Sequence, residues 1–208
     1  MFSKGKFIVI EGLDGSGKTT QTKIITDKLI AKGINVVNHA EPTGREYGKM
    51  CREVLSGKKK CTKSQLALLF TADRIDHNVN DEDGINMHVE KGNTVICDRY
   101  YYSSLAYQGS ETDFDWVLDM NINCPEIRKP DLCIFLDLEP EKCFDRISKN
   151  RLVKEIYEET ERLERYRKRY FEIFDMLKFT DNIAIIDTAK DIDSVAAEVY
   201  AKVSELDV

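Results

Sequence analysis

Long apolar runs are missing from this chain. No stretch approaches the roughly 18 apolar residues at which a transmembrane helix becomes the default reading, and the first apolar run, Phe7–Ile10, stops at Glu11. Neither a membrane partner nor a secretory leader is expected. A basic excess is also lacking: 31 lysines and arginines stand against 37 aspartates and glutamates, for a net charge of −6. Phosphate backbones select basic surfaces, so a broad nucleic-acid-binding face is disfavoured and the basic residues must act locally, in a pocket. The six cysteines, at positions 51, 61, 97, 124, 133 and 143, include no C-x-x-C pair. Several sit in apolar runs, which points to buried free thiols, a reducing compartment and a cytoplasmic location. The three histidines, His39, His77 and His88, share no metal-ligand spacing, and surface or partly satisfied roles are expected for them. Internal repeats and low-complexity linkers are absent.

What remains is ordinary globular composition: 208 residues, 42% hydrophobic and 33% charged, suited to one domain over 1–208 with a substantial core. The chain is organised around Phe7-Ile-Val-Ile-Glu-Gly-Leu-Asp-Gly-Ser-Gly-Lys-Thr-Thr20. Its apolar start, β-branched at three positions, reads as a strand buried on both faces. Gly12, Gly17, Lys18 and Thr19 then fit G-x-x-x-x-G-K-[ST], the P-loop pattern, and a helical stretch follows. Glycines let successive backbone N–H groups turn inward around a phosphate, and the helix adds the positive end of its dipole. Lys18 reaches the β- and γ-phosphates and the Thr19 hydroxyl ligates Mg²⁺ in such a loop. Gly12, Leu13, Asp14, Gly15, Ser16, Gly17, Lys18, Thr19 and Thr20 are therefore expected to bind a nucleoside triphosphate.

Beyond the loop, strands and helices alternate. Ile25, Leu29 and Ile30 give a helical stripe stopped at Gly33, and Ile34–Val37 reads as a second strand opening into the Glu41–Gly48 loop. A helix runs towards Leu55, and the pattern from Gln65 to about Lys91 is largely helical. Thr94–Asp98, Leu132–Leu136 and Ile183–Ile186 read as three more strands. Helices are expected at Asp113–Asn123, Glu139–Lys149 and roughly Glu159–Lys178, with a last one capped by Asp191. This order implies an α/β fold: a five-stranded parallel sheet with right-handed crossovers and helices on both faces, the three-layer arrangement of P-loop NTPases. Ligands of such sheets bind beyond the carboxyl ends of the strands. That rim would gather the P-loop, the segment after Val37 and the segment after Cys97.

A P-loop alone leaves kinase, GTPase, ATPase motor and switch open, although the guanine-selecting N-K-x-D motif is absent. A small-molecule kinase needs a second anion pocket, and arginines suit it because their forked guanidinium matches phosphate geometry. Arg45, Arg74 and Arg99 all fall on rim segments. Around Asp98-Arg-Tyr100 the resemblance becomes specific. Together with Glu11–Gln21, Glu41-Pro42, Leu68-Leu-Phe-Thr-Ala-Asp-Arg74, Ser103-Ser-Leu-Ala-Tyr-Gln-Gly109 and Lys129-Pro-Asp131, it resembles the thymidylate kinases, in family order over nearly the whole chain.

The resemblance implies transfer of the ATP γ-phosphoryl group to dTMP, giving dTDP, with Mg²⁺ as cofactor and a homodimer as the assembly. The alternative is a P-loop kinase for another nucleotide or nucleoside, or a non-catalytic ATP-binding switch. On the dTMP side, Phe70 corresponds to the aromatic under the thymine ring and Arg74 to the arginine at thymine O4. Gln108 would meet the pyrimidine edge and Tyr107 would crowd the sugar 2′ position. Arg99 and Arg45 would hold the acceptor phosphate, with Asp14 near it. Lys18 would act on the donor, and Thr19 and Asp98 would serve the metal. The lid is expected at about 145–158, carrying Arg146, Lys149, Arg151 and Lys154. Because position 15 is glycine, where eukaryotic members carry an arginine, the lid must supply the catalytic guanidinium. Arg151 is assigned that role, with Arg146 as the alternative.

Overall fold

A computed structural model describes residues 5–147 and 153–206. β1 (Phe7–Glu11) is buried at every position. α1 (Lys18–Ala31) leads away from it and β2 (Val36–Ala40) returns. α2 (Glu46–Leu55), α3 (Lys63–Val79) and α4 (Ile85–Glu90) carry the chain to β3 (Thr94–Asp98). α5 (Tyr101–Tyr107) and α6 (Phe114–Ile122) precede β4 (Leu132–Asp137). α7 (Pro140–Ile147), α8 (Val153–Leu177), β5 (Ile183–Asp187) and α9 (Ile192–Ser204) complete the order.

The sheet runs β2-β3-β1-β4-β5 and every pairing is parallel. The chain lays β2 and β3 on one side of β1, then β4 and β5 on the other. β1 therefore ends at the point where the winding reverses, where the crevice of an open α/β sheet forms.

Alternate residues of each central strand feed two cores. Phe7, Val9, Val95, Cys133 and Phe135 pack with Tyr100–Tyr102, Leu105, Tyr170 and Phe174. Ile8, Ile10, Ile96, Ile134 and Leu136 pack on the other face with Ile25, Leu29, Val195 and Val199. Burial on both faces is what continuous apolar strands require. Cys51, Cys97, Cys133 and Cys143 are buried and all six cysteines are free thiols. No helix among the described residues is long and apolar enough to cross a membrane.

The helix expected from roughly Glu159 starts at Val153, and three further features differ from the sequence expectation. The second strand begins at Val36 rather than Ile34 and extends through Asn38 and His39 to Ala40, paired with Asp98. An edge strand tolerates those polar residues, and Asn38 accepts a hydrogen bond from Thr26 at 2.9 Å. The long helical stretch after Gln65 divides in two, because the Asn80 side chain accepts from the Glu82 and Asp83 backbone N–H groups and turns the chain. α5 is the third difference, a short helix with no apolar periodicity to announce it.

Candidate active site at the carboxyl ends of the strands

The donor side is made mostly of backbone. Gly12, Gly15 and Gly17 have φ of 149°, 85° and 103°, in the region that favours glycine. At Gly12 there is no space either: a Cβ would lie 2.5 Å from Ser16 Oγ and 2.8 Å from the Leu136 carbonyl. Gly17 caps α1 without a side-chain hydrogen bond, so the first-turn amides are presented to an anion. Lys18 is buried and donates from Nζ to the carbonyls of Gly12 and Leu13 at 3.1 and 3.0 Å. Burial and the nearby Arg99 hold its ammonium pKa below the usual lysine range. Gly15–Gln21, Arg146, Thr188 and Lys190 line a cleft of about 480 Å³. Arg146 reaches over it from α7, donating to the Gly15 carbonyl at 3.2 Å and the Thr188 carbonyl at 3.4 Å.

The acceptor side is made of side chains. A cavity of about 420 Å³ is lined by Asp14, Phe70, Arg74, Arg99, Tyr107 and Gln108, among others. Phe70 is half-buried on α3. One turn later, Arg74 is 1% exposed. Its Nε and Nη2 engage Glu41 Oε2 at 2.9 and 2.7 Å, and its Nη1 donates to Ser104 at 3.2 Å and also to Asn121. Tyr107 closes one wall, its ring edge-on to Tyr166 at 4.4 Å.

Arg99 joins the two sides. Its Nη2 donates to Asp14 Oδ1 at 2.5 Å, and its Nη1 to Ser103 Oγ at 3.0 Å and to the Tyr107 hydroxyl at 3.4 Å. Burial pushes the Asp14 carboxyl up, but Arg99 and Lys18 outweigh it and hold its pKa below the usual range. The Arg99 backbone sits at φ 70°, a left-handed conformation uncommon for a residue with a Cβ. Buried Glu11 holds the neighbouring backbone. It accepts from the Tyr100 N–H at 2.8 Å, the Ser103 N–H at 3.1 Å, Ser103 Oγ at 2.7 Å and the Tyr170 hydroxyl at 2.9 Å.

Asp98 closes β3 beside Lys18. Its Oδ1 is buried without a hydrogen-bond partner among the described residues, and burial raises its pKa against the opposing pull of Lys18 and Arg99. Thr19 is exposed at the start of α1. An orphaned carboxylate oxygen and a hydroxyl at a phosphate-binding loop are the hard oxygen donors that suit Mg²⁺, which binds through few protein ligands and several waters.

The structure thus brings Asp14, Phe70, Arg74, Arg99, Tyr107 and Gln108 to one cavity, and Gly15–Thr20 to the adjoining cleft. Leu13 contributes backbone only, since its side chain lies in the core. Arg45 is not among the residues that line the acceptor cavity. Asp73 accepts from the Thr43 N–H at 2.7 Å and from Thr43 Oγ1 at 2.5 Å, and so fixes the loop before α2. Arg45 then turns towards Asp76, at 3.7 Å, and lines a separate cleft. Arg151 lies outside the described residues, whereas Arg146 is on the donor cleft. Sequence reasoning missed Arg162 of α8, which lines the acceptor cavity, and gave no role to Glu11. Glu11 opens the Glu11–Gln21 motif, and the place of an acid at a strand's end is the available signal.

The family model for thymidylate kinases matches residues 10–199. A probable thymidylate kinase of Methanococcus aeolicus is 39% identical over 204 residues, covering 96% of each chain. One from Pyrococcus horikoshii is 34% identical over 206 residues, again covering 96% of each. A thymidylate kinase of Desulfotalea psychrophila is 36% identical over 205 residues, 97% of this chain and 96% of its own. With a P-loop, an adjoining arginine-lined cavity and full-length similarity of this kind, the chain belongs to the thymidylate kinase family.

Proposed function

We propose that the chain transfers the ATP γ-phosphoryl group in line to dTMP, releasing dTDP and ADP, through the residues at this rim. The observation that carries the reading is Arg99. One guanidinium nitrogen touches the P-loop acid Asp14, and the other touches the Ser103–Tyr107 wall of the acceptor cavity. A phosphate held there faces the donor loop. Lys18 leaves its backbone carbonyls to engage the β- and γ-phosphates, together with the amides of Gly12–Thr20. Thr19 and, through water, Asp98 would hold Mg²⁺, which when bound supplies neutralising charge to the phosphate oxygens.

Phe70 stacks the base, Arg74 and Gln108 meet its polar edge, and Tyr107 crowds the sugar. The acceptor phosphate is itself a nucleophile at neutral pH, so no strong base is needed. Arg146 supplies positive charge at the donor phosphates as charge spreads over the transferring group. Catalysis is then positioning and charge neutralisation, without a covalent intermediate on the protein. A homodimer in the cytoplasm belongs to the same reading.

Release of ADP from ATP, measured over dTMP, dUMP, UMP, dCMP, AMP, GMP and thymidine, tests it. Turnover should be greatest with dTMP, and Arg99→Ala should lower kcat/KM by roughly 10²–10³-fold with the fold intact. Preference for another acceptor, or no release above background with any, would replace the reading with another kinase or a non-catalytic switch.

A further inference from the structure

The three histidines come from three elements, yet their rings meet. His39 lies on β2, His77 in the last turn of α3 and His88 on α4. The His39 and His77 rings are nearly parallel, 14° apart, with centroids 4.8 Å apart, and His39 stands edge-on to His88 at 5.5 Å. Asp83, in the turn before α4, places Oδ1 2.9 Å from His88 Nε2 and 3.6 Å from His39 Nε2. All three atoms lie within 4.8 Å of one another. Around a tetrahedral ion with bonds of about 2.0–2.2 Å, neighbouring ligand atoms stand about 3.3 Å apart. The two observed separations bracket that spacing.

Hydrogen-bond direction decides which lone pairs face each other. Glu41 Oε2 is engaged by Arg74, and Oε1 lies 2.9 Å from His77 Nδ1. A carboxylate only accepts, so in the neutral ring the His77 proton sits on Nδ1 and Nε2 is an acceptor. His39 Nδ1, 2.5 Å from that nitrogen, must then donate to it. This leaves His39 Nε2 as a bare lone pair aimed at the Asp83 carboxylate. Two acceptors facing each other repel, and a cation between them turns that repulsion into ligation.

We propose that His39 Nε2, Asp83 Oδ1 and His88 Nε2 form a site for one divalent transition-metal ion of the zinc class. Two imidazoles and one carboxylate select such ions over Mg²⁺ and Ca²⁺, which prefer all-oxygen sets. His77 and Glu41 form the outer shell, a carboxylate–imidazole chain that fixes the His39 tautomer and raises its basicity. The His39 side chain is 7% exposed and that of Asp83 63%, so the ion enters from the carboxylate side. The fourth position faces a cleft shared with Thr43, Arg45 and Glu82. When the ion binds, the His88 proton moves to Nδ1. The Asn93 amide, whose nitrogen lies 3.3 Å from Nδ1, turns its oxygen to accept it.

The test is calorimetric titration of the full-length chain with Zn²⁺ in excess Mg²⁺, followed by absorption spectroscopy with Co²⁺ as a probe. One ion per chain is expected, with the visible bands of a tetrahedral nitrogen–oxygen set and no thiolate charge-transfer band. Asp83→Ala and His88→Gln should each weaken binding roughly 100-fold or more, and His77→Gln roughly 10-fold. Because Asp83 is largely exposed, its variant keeps the test informative if His88→Gln disturbs α4. Absence of Zn²⁺ binding, a thiolate band, or unchanged affinity in Asp83→Ala would overturn the proposal.

Discussion

The donor and acceptor halves of the site are built on opposite plans. The donor half is one continuous stretch, Gly12–Thr20, made of amides and glycine geometry, in which Asp14, Thr19 and Thr20 stay exposed. The acceptor half draws single side chains from separate elements: Glu41 after β2, Phe70 and Arg74 on α3, Arg99 after β3, Tyr107 on α5, Arg162 on α8. Glu41 and Arg74 are buried and paired with each other, and Arg99 donates to Tyr107, while Phe70 is half-buried and Arg162 exposed. A phosphate chain presents the same oxygens whatever nucleoside carries it, so backbone amides suffice. A base and sugar must be told from close analogues, and buried polar side chains in fixed orientations do that.

Replacing an arginine on each side tests this contrast most sharply. Arg74→Ala leaves the Glu41 carboxylate buried without its guanidinium, and removing one partner of such a pair costs about 3–5 kcal/mol. Arg146→Ala, at an exposed site, should change stability by less than about 0.5 kcal/mol while lowering turnover. Denaturant midpoints of the two variants provide the check, and equal midpoints would erase the distinction between the halves. Phe70→Ala comes next. Loss of base stacking, worth about 1–3 kcal/mol, should raise KM for dTMP roughly 5–150-fold and leave KM for ATP unchanged. Parallel rises in both constants would mean that the halves are not separable.

The smallest effect is in pH. Burial raises the Asp98 pKa, whereas Arg99 and Lys18 lower that of Asp14. As pH falls from neutrality, Asp98 therefore takes up its proton first, and the Mg²⁺ requirement should increase before the Asp14–Arg99 pair is lost. The stability sign is the reverse. A carboxyl whose folded pKa is raised above its unfolded value destabilises the fold above the folded pKa, and that penalty vanishes below the unfolded one. Asp98→Asn should thus unfold at a slightly higher temperature at pH 7 and show a flatter pH profile for Mg²⁺ activation.

The same division governs what could be read from the sequence. The P-loop is local, so its residues and their chemistry were legible in order. The parallel sheet was legible because each central strand is a continuous apolar run. Family motifs supplied Phe70, Arg74, Arg99, Tyr107 and Gln108, which no periodicity would have singled out. α5 was not legible: Tyr-Tyr-Ser-Ser is a poor helix start, and what holds it is the Glu11 carboxylate, 89 and 92 residues before its two backbone donors. The course of the Arg45 loop was not legible for a similar reason, because Asp73 on another helix decides how it turns. Histidine spacing gave no sign of their meeting, since the sheet and two helices make it.

The left-handed backbone at Arg99 has a consequence for how this sequence can drift. For a residue with a Cβ that conformation costs about 1–2 kcal/mol, and glycine escapes it. Selection for relief of that strain alone would favour glycine at this codon and lower turnover by roughly the 10²–10³-fold expected of Arg99→Ala in one step. Selection for turnover alone would keep a guanidinium that no other amino acid supplies. A library sorted by thermal survival and then by dTDP production should therefore split into two populations at position 99, and few other positions should divide it so cleanly.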